Sequence, residues 1–167
     1  MKTQRLFAVF FCLLIVPPLL TGYFGSKDKK KPKNDACVGT DPDSTCSEPN
    51  TCGSETSVCV VDIKRIGSNS ASATPNSTNR KPNAAFCVKP GTTIMFKSTS
   101  KDTGFVLDFG NSSPFDSGTA IVGGADRPIS VVAKKPGCYT YSVGACTAGT
   151  VYGMCGDDVA QIIVSNK

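Results

Sequence analysis

The sequence predicts an all-β fold, an antiparallel β-sandwich stapled by disulfides, and three observations carry that expectation. Six short stretches alternate apolar and polar residues or concentrate β-branched ones, and none keeps a helical period. Gly, Pro, Asp or Ser bound each stretch, as turns between strands require. Eight cysteines follow the N-terminal leader, an even number suited to pairing in an oxidising compartment.

The leader comes first. Met1 to Arg5 carries Lys2 and Arg5, and an uninterrupted apolar run follows from Leu6 to Val16. This pattern predicts a secretory signal peptide over 1–22, or to Gly25, with Pro17-Pro18 closing the apolar run. Cys12 sits inside that run, too early for a lipidated cysteine. An uncleaved anchor from Leu6 to about Phe24 is the alternative, near the lower limit of a membrane span.

Residues 23–36 read as a Lys-rich linker. Lys27, Lys29, Lys30, Lys31 and Lys33 with Asp28 give a local net charge of +4. Positive charge on this flank opposes translocation, whereas the cysteines favour export. The lysines are a solvated spacer or a loose contact with an anionic membrane surface. From Asn34 onward, 11 Lys and Arg face 12 Asp and Glu, a net charge of −1. That balance offers no basic face for nucleic acid.

Residues 37–56 are polar and hold Cys37, Cys46 and Cys52, predicting an irregular segment ordered by its cysteines. The folded domain is expected over 57–167. Its strands are Val58 to Ile66, Thr92 to Ser98, Phe105 to Phe109, Ile129 to Ala133, Tyr139 to Val143 and Val159 to Val164. Gly67 to Asn83 reads as a long polar loop, and Gly123-Gly124 as a flexible turn. Lys89-Pro90-Gly91 and Lys135-Pro136-Gly137 read as tight turns. Asn76-Ser77-Thr78 and Asn111-Ser112-Ser113 are acceptor sequons if the source glycosylates.

Alternation nominates an interior of Val60, Phe86, Val88, Ile94, Phe96, Val106, Val131, Tyr139, Tyr141, Val143, Ile162 and Val164. Tyr139 and Tyr141 are expected to turn their rings inward and hydrogen-bond their hydroxyls at the edge.

FCVKPGTTIMFKS, GFVLDFGNSSPF, ISVVAKKPGCYTYSV and DDVAQIIV, in that order, resemble the cupredoxin fold of plastocyanin-like secreted proteins. The similarity spans Val58 to Val164, and it implies a Greek-key sandwich. In copper-binding members two histidines, a cysteine and usually a methionine hold the metal. The resemblance puts the first histidine at Thr103 to Phe105, the cysteine at Val143, the second histidine at Cys146 and the methionine at Met154. The chain contains no histidine, so the resemblance implies a cupredoxin-like domain without type I copper and with no cofactor.

Cys138, Cys146, Met154 and Cys155 cluster in the last hairpin. Soft sulfur ligands suit Cu(I), so Met154, Cys146 and Cys155 form a weak alternative metal set. Disulfides are the stronger reading for Cys37, Cys46, Cys52, Cys59, Cys87, Cys138, Cys146 and Cys155. Cys146 with Cys155 would close the Gly-rich loop. Cys87 with Cys138 stand beside the two Pro-Gly turns, and the other four would pair among themselves. No C-x-x-C occurs, which removes zinc-knuckle and thioredoxin-type motifs.

No catalytic constellation emerges. Ser112, Ser113 and Ser117 lack an activating histidine, Asp157-Asp158 reads as a turn pair, and Asp108 should face solvent. The leading expectation is a non-catalytic exported module, secreted or periplasmic, binding a protein, a glycan or the envelope through its loops. A Cu(I) carrier is the alternative, and a small carboxylate-dependent enzyme is third.

Overall fold

The computed structural model describes residues 41–148 and 155–167, with only the backbone of Cys155 and Gly156. The chain divides after Lys31, and every described residue belongs to the second unit, Pro32–Lys167. The signal peptide expected over 1–22, the lysines from Lys27 to Lys33, Cys37 and Met154 lie outside the described residues. Among the described residues no helix is long and apolar enough to cross a membrane.

The fold is all-β. In chain order the strands are β1 (Cys59–Ile66), β2 (Ser70–Pro75), β3 (Phe86–Val88), β4 (Thr93–Lys97) and β5 (Thr103–Asp108). β6 (Ala120–Gly124), β7 (Ile129–Val132), β8 (Gly137–Thr147) and β9 (Cys155–Val164) complete the set. One sheet has the order β2-β1-β4-β7 and the other β3-β9-β8-β5-β6. Ile63, Ile94, Phe96, Leu107, Tyr141, Val143 and Ile162 fill the core between them.

The sheets are mixed, which corrects the antiparallel expectation. β1 pairs with β4 in parallel (Cys59 opposite Ile94), and β3 pairs with β9 in parallel (Phe86 opposite Ile162). The chain leaves the first sheet after β2, forms β3 in the second, and re-enters as β4 along the direction of β1. Side-chain alternation reports the face a residue occupies and carries no record of strand direction.

Two core assignments have the wrong parity. Val60 is half-buried while Cys59, Val61 and Ile63 point inward. Val106 is 40% exposed while Phe105 and Leu107 are buried. Each stretch carries apolar residues on both parities, and a one-residue shift exchanges the faces.

β2 was hidden in the expected polar loop. Its sequence SASATP has no large apolar residue, yet it pairs with β1 over six positions. Ala71 and Ala73 are buried, so small side chains suit this edge. β6 likewise replaces the turn expected at Gly123-Gly124. A Cβ on Gly123 would lie 2.5 Å from Phe105 Cζ and 2.7 Å from Arg127 O. Close approach, rather than flexibility, requires that glycine.

The expected turn at Lys89-Pro90-Gly91 is present. Thr92 N–H donates to Lys89 O at 3.1 Å, and Gly91 takes a φ of 90°. The second Pro-Gly turn is held by a side chain, with Tyr139 Oη donating to Lys135 O at 3.0 Å. Tyr139 thus behaves as expected of an edge tyrosine. Tyr141 does not: its hydroxyl is buried with no partner among the described residues. It lies two residues deeper along β8, its ring stacked on Phe109 at 4.8 Å and edge-on to Phe96 at 6.4 Å. Burial pushes its hydroxyl well above the usual tyrosine range.

The N-terminal segment is strapped to the body. It contains one helical turn, α1 (Pro42–Thr45), and a 3-10 turn at Glu48–Asn50. Cys46 bonds Cys87 and Cys52 bonds Cys59, while Cys52 N–H donates to Cys87 O at 2.8 Å. The expected Cys87–Cys138 bridge is therefore wrong, as is pairing confined to the first four cysteines. Cys87 and Cys138 flank Ile163 on opposite neighbours of β9. Two strand spacings separate them, about 10 Å, beyond the Cα separation a disulfide spans. Cys138 and Cys146 are both disulfide-bonded. Cys146 stands opposite Cys155 in the β8–β9 register, and the Cys155 side chain lies outside the described residues.

Candidate functional site

One end of the fold brings together the β4–β5 loop, the β6–β7 turn and the end of β8. Thr103 faces Thr147 and Gly104 faces Cys146 across β5 and β8, with Leu107 opposite Val143 further in. Thr103 and Val143 are buried. The β4–β5 loop is tied by Thr103 N–H to Ser100 O at 3.0 Å, and Ala148 N–H closes on Asp102 O at 2.7 Å. Across from them the β6–β7 turn is fixed by Gly124 N–H to Arg127 O at 3.1 Å.

These loops enclose an open groove of about 390 Å³ lined by Lys101–Gly104, Val122–Arg127 and Ala148. A second hollow of about 270 Å³ shares Lys101, Asp102 and Thr103 and extends to Arg65, Gly67 and Thr147. Lys101, Arg65 and Arg127 alternate with Asp102 and Asp126 along this rim. Among the described residues none of the five forms an ion pair. Such a rim of mixed charge offers hydrogen bonds in both senses to a polar surface.

The sulfurs weighed for Cu(I) fall differently. Cys146 is oxidised in a disulfide, so it offers no thiolate. Met154 and the Cys155 side chain lie outside the described residues. Disulfides at Cys46–Cys87 and Cys52–Cys59 are consistent with an oxidising environment.

The carboxylates are engaged separately. Asp108 ends β5, exposed, and accepts from Gly110 N–H at 2.8 Å. Asp116 pairs with Lys134 at 2.8 Å and Lys135 at 3.8 Å. The Lys134 hydrogen bond and charge hold the Asp116 carboxyl below the usual range. Asp158 accepts from Asn83 Nδ2 at 2.7 Å and from Val159 N–H at 2.8 Å, while Asp157 is exposed beside it. Among the described residues no three of His, Cys, Asp and Glu gather as a metal cluster would. Ser113 is buried, with its Oγ accepting from Phe115 N–H at 3.2 Å; Ser112 and Ser117 are exposed. Both sequon asparagines, Asn76 and Asn111, are exposed.

The rim residues Arg65, Lys101 and Arg127 went unnoticed in the sequence. Arg65 lies near the end of β1, Lys101 on the β4–β5 loop and Arg127 on the β6–β7 turn, and no spacing rule connects them. No protein-family model matches this chain, and no curated protein sequence matches it.

Proposed function

We propose that this protein is a non-catalytic exported module, built as a cupredoxin-like sandwich that has replaced metal with disulfides. It binds a protein, glycan or envelope component through the loops at one end. The observation that carries the reading is the groove framed by Lys101–Gly104, Val122–Arg127 and Ala148. It lies at the end where the resemblance puts copper ligands, and its groups are recognition groups without a paired nucleophile and base. The adjacency of β5 and β8 supports the cupredoxin-like part, since the aligned ligand positions fall on neighbouring strands. The disulfides support export, and the signal peptide over 1–22 would supply it.

The experiment uses the chain exported with its own leader and isolated from culture medium or periplasm. We expect no titratable thiol among the eight cysteines after the leader, and no intense visible absorption on adding Cu(II). We expect retention on the producing cell's envelope fraction, lost on Arg127→Glu together with Lys101→Glu. Stoichiometric Cu(I) binding would favour the carrier instead. Retention unchanged by the charge reversals would remove the loop end as the binding surface.

A further inference from the structure

The outer face of the four-stranded sheet carries a further groove. Thr74, Asp62 and Lys97 form one row across β2, β1 and β4, because Asp62 is the partner of both Thr74 and Lys97. Lys64 lies two residues along the same face, and Arg80 reaches in from the loop after β2. Together they line a hollow of about 360 Å³, a size that holds a small ligand.

Its electrostatics are uneven. Lys64 Nζ pairs with Asp62 Oδ2 at 2.9 Å, which leaves Arg80 and Lys97 with no ion pair among the described residues. Three cations against one carboxylate give a local +2 on a region that is net −1 from Asn34 onward. That concentration favours an anion carrying one or two charges. A long polyanion would meet the acidic remainder of the domain.

Two further features narrow the ligand. The Asp62 side chain keeps 21% of its surface exposed, so a carboxylate acceptor stands beside the cations. Half-buried Val60 supplies an apolar floor. A ligand that satisfies all three needs an oxyanion, a neighbouring hydroxyl donor and a C–H face. We propose that this groove binds a sugar bearing a carboxylate or sulfate group. The oxyanion would lie against Arg80 and Lys97, a ring hydroxyl would donate to the Asp62 carboxylate, and the ring would rest on Val60. The proposal concerns the sheet face and does not depend on the reading of the loop end.

The test titrates the full exported, disulfide-intact protein by calorimetry. The probes are galacturonate, a monosulfated galactose, neutral galactose, inorganic sulfate and polyglutamate. We expect the carboxylated or the sulfated sugar to bind, and whichever does identifies the source of the oxyanion. Each charge-assisted contact is worth about 1.5 kcal/mol, so Arg80→Gln and Lys97→Gln should each weaken that binding about tenfold. Arg127→Glu at the loop end should leave it unchanged. Asp62→Asn should weaken the sugar acid while strengthening inorganic sulfate, because a carboxylate repels a bare anion. Equal binding of the neutral sugar, of sulfate or of polyglutamate would overturn the proposal, as would indifference to both cation variants. These surface substitutions leave the core intact, and an unchanged melting profile checks that.

Discussion

Asn83 and Asp158 join the two sheets: Asn83 Nδ2 donates to Asp158 Oδ2 at 2.7 Å. The same side chain also acts as a short piece of strand. Its Oδ1 accepts from Ala73 N–H at 2.7 Å, and its Nδ2 donates to Ala71 O at 3.1 Å. β2 is an edge strand, and Asn83 occupies hydrogen-bonding positions that would otherwise invite another strand.

Asn83→Ala should therefore cost about 2–3 kcal/mol, since it deletes several partly buried hydrogen bonds. It should also expose the edge. Part of the loss is backbone strain, because Asn83 sits at φ 56°, a conformation asparagine tolerates better than alanine. Asn83→Gly isolates the hydrogen bonds by relieving that strain. Urea unfolding gives the energies, and light scattering at high concentration reads the edge. A loss below 0.5 kcal/mol for alanine, on the order of a surface substitution, would contradict this role.

The two core tyrosines should respond with opposite signs. Tyr139→Phe removes the bond to Lys135 O and should destabilise by about 1 kcal/mol. Tyr141→Phe removes a buried hydroxyl that has no partner among the described residues, so stability should hold or rise by up to about 1 kcal/mol. Chemical unfolding of both variants in one buffer makes the comparison. A clear loss for Tyr141→Phe would point to a bound water or another hidden acceptor.

Gly123→Ala should cost about 1–3 kcal/mol, because the new methyl overlaps the Phe105 ring and the Arg127 carbonyl. Gly144→Ala is the control. Its Cβ would meet the end of the Val106 side chain at 2.8 Å, and Val106 is exposed enough to turn aside. Thermal melts should separate the two by several degrees.

The tail clasp should open in acid. Asp43 accepts from the Ser165 hydroxyl and from Asn166 N–H, with Lys167 close by. These contacts, the Ser165 bond foremost, hold its carboxyl below the usual aspartate range. A lowered folded-state value means the contribution is present above the unfolded value, about pH 4. It is lost as pH falls through the lowered value. Hydrogen exchange of the Asn166 and Lys167 amides should accelerate, relative to intrinsic rates, only below that point. Asp43→Asn should remove the pH dependence.

Opening the two assigned disulfides should have unequal effects. Loop-closure entropy gives about 4 kcal/mol for Cys46–Cys87 and about 2 kcal/mol for Cys52–Cys59, since their separations are 41 and 7 residues. Paired serine substitutions with denaturant unfolding measure both. Equal losses would show that the strap adds no constraint beyond its local turn.

Alternation located six strands, because β1, β4, β5, β7, β8 and β9 carry enough apolar residues to mark a buried face. It missed β2, whose SASATP sequence buries only small side chains, β3, whose three residues are too few to show an alternation, and β6, whose glycines resemble a turn. It also chose the wrong face for Val60 and Val106, where both parities are apolar. The candidate sites were less legible still. Asp62 and Lys97 are 35 positions apart and meet only through the parallel pairing of β1 with β4.

The sequence by itself determined the class: short amphipathic strands, eight cysteines from Cys37 onward and no histidine leave an all-β, disulfide-bonded chain without imidazole chemistry. Those properties are local or compositional, so they survive without knowing which strand lies beside which. Only the tertiary structure decided the mixed pairing, the Cys46–Cys87 strap and the groove beside Asp62. Each depends on contacts between distant residues, and pairing partner and strand direction are set by packing two sheets together.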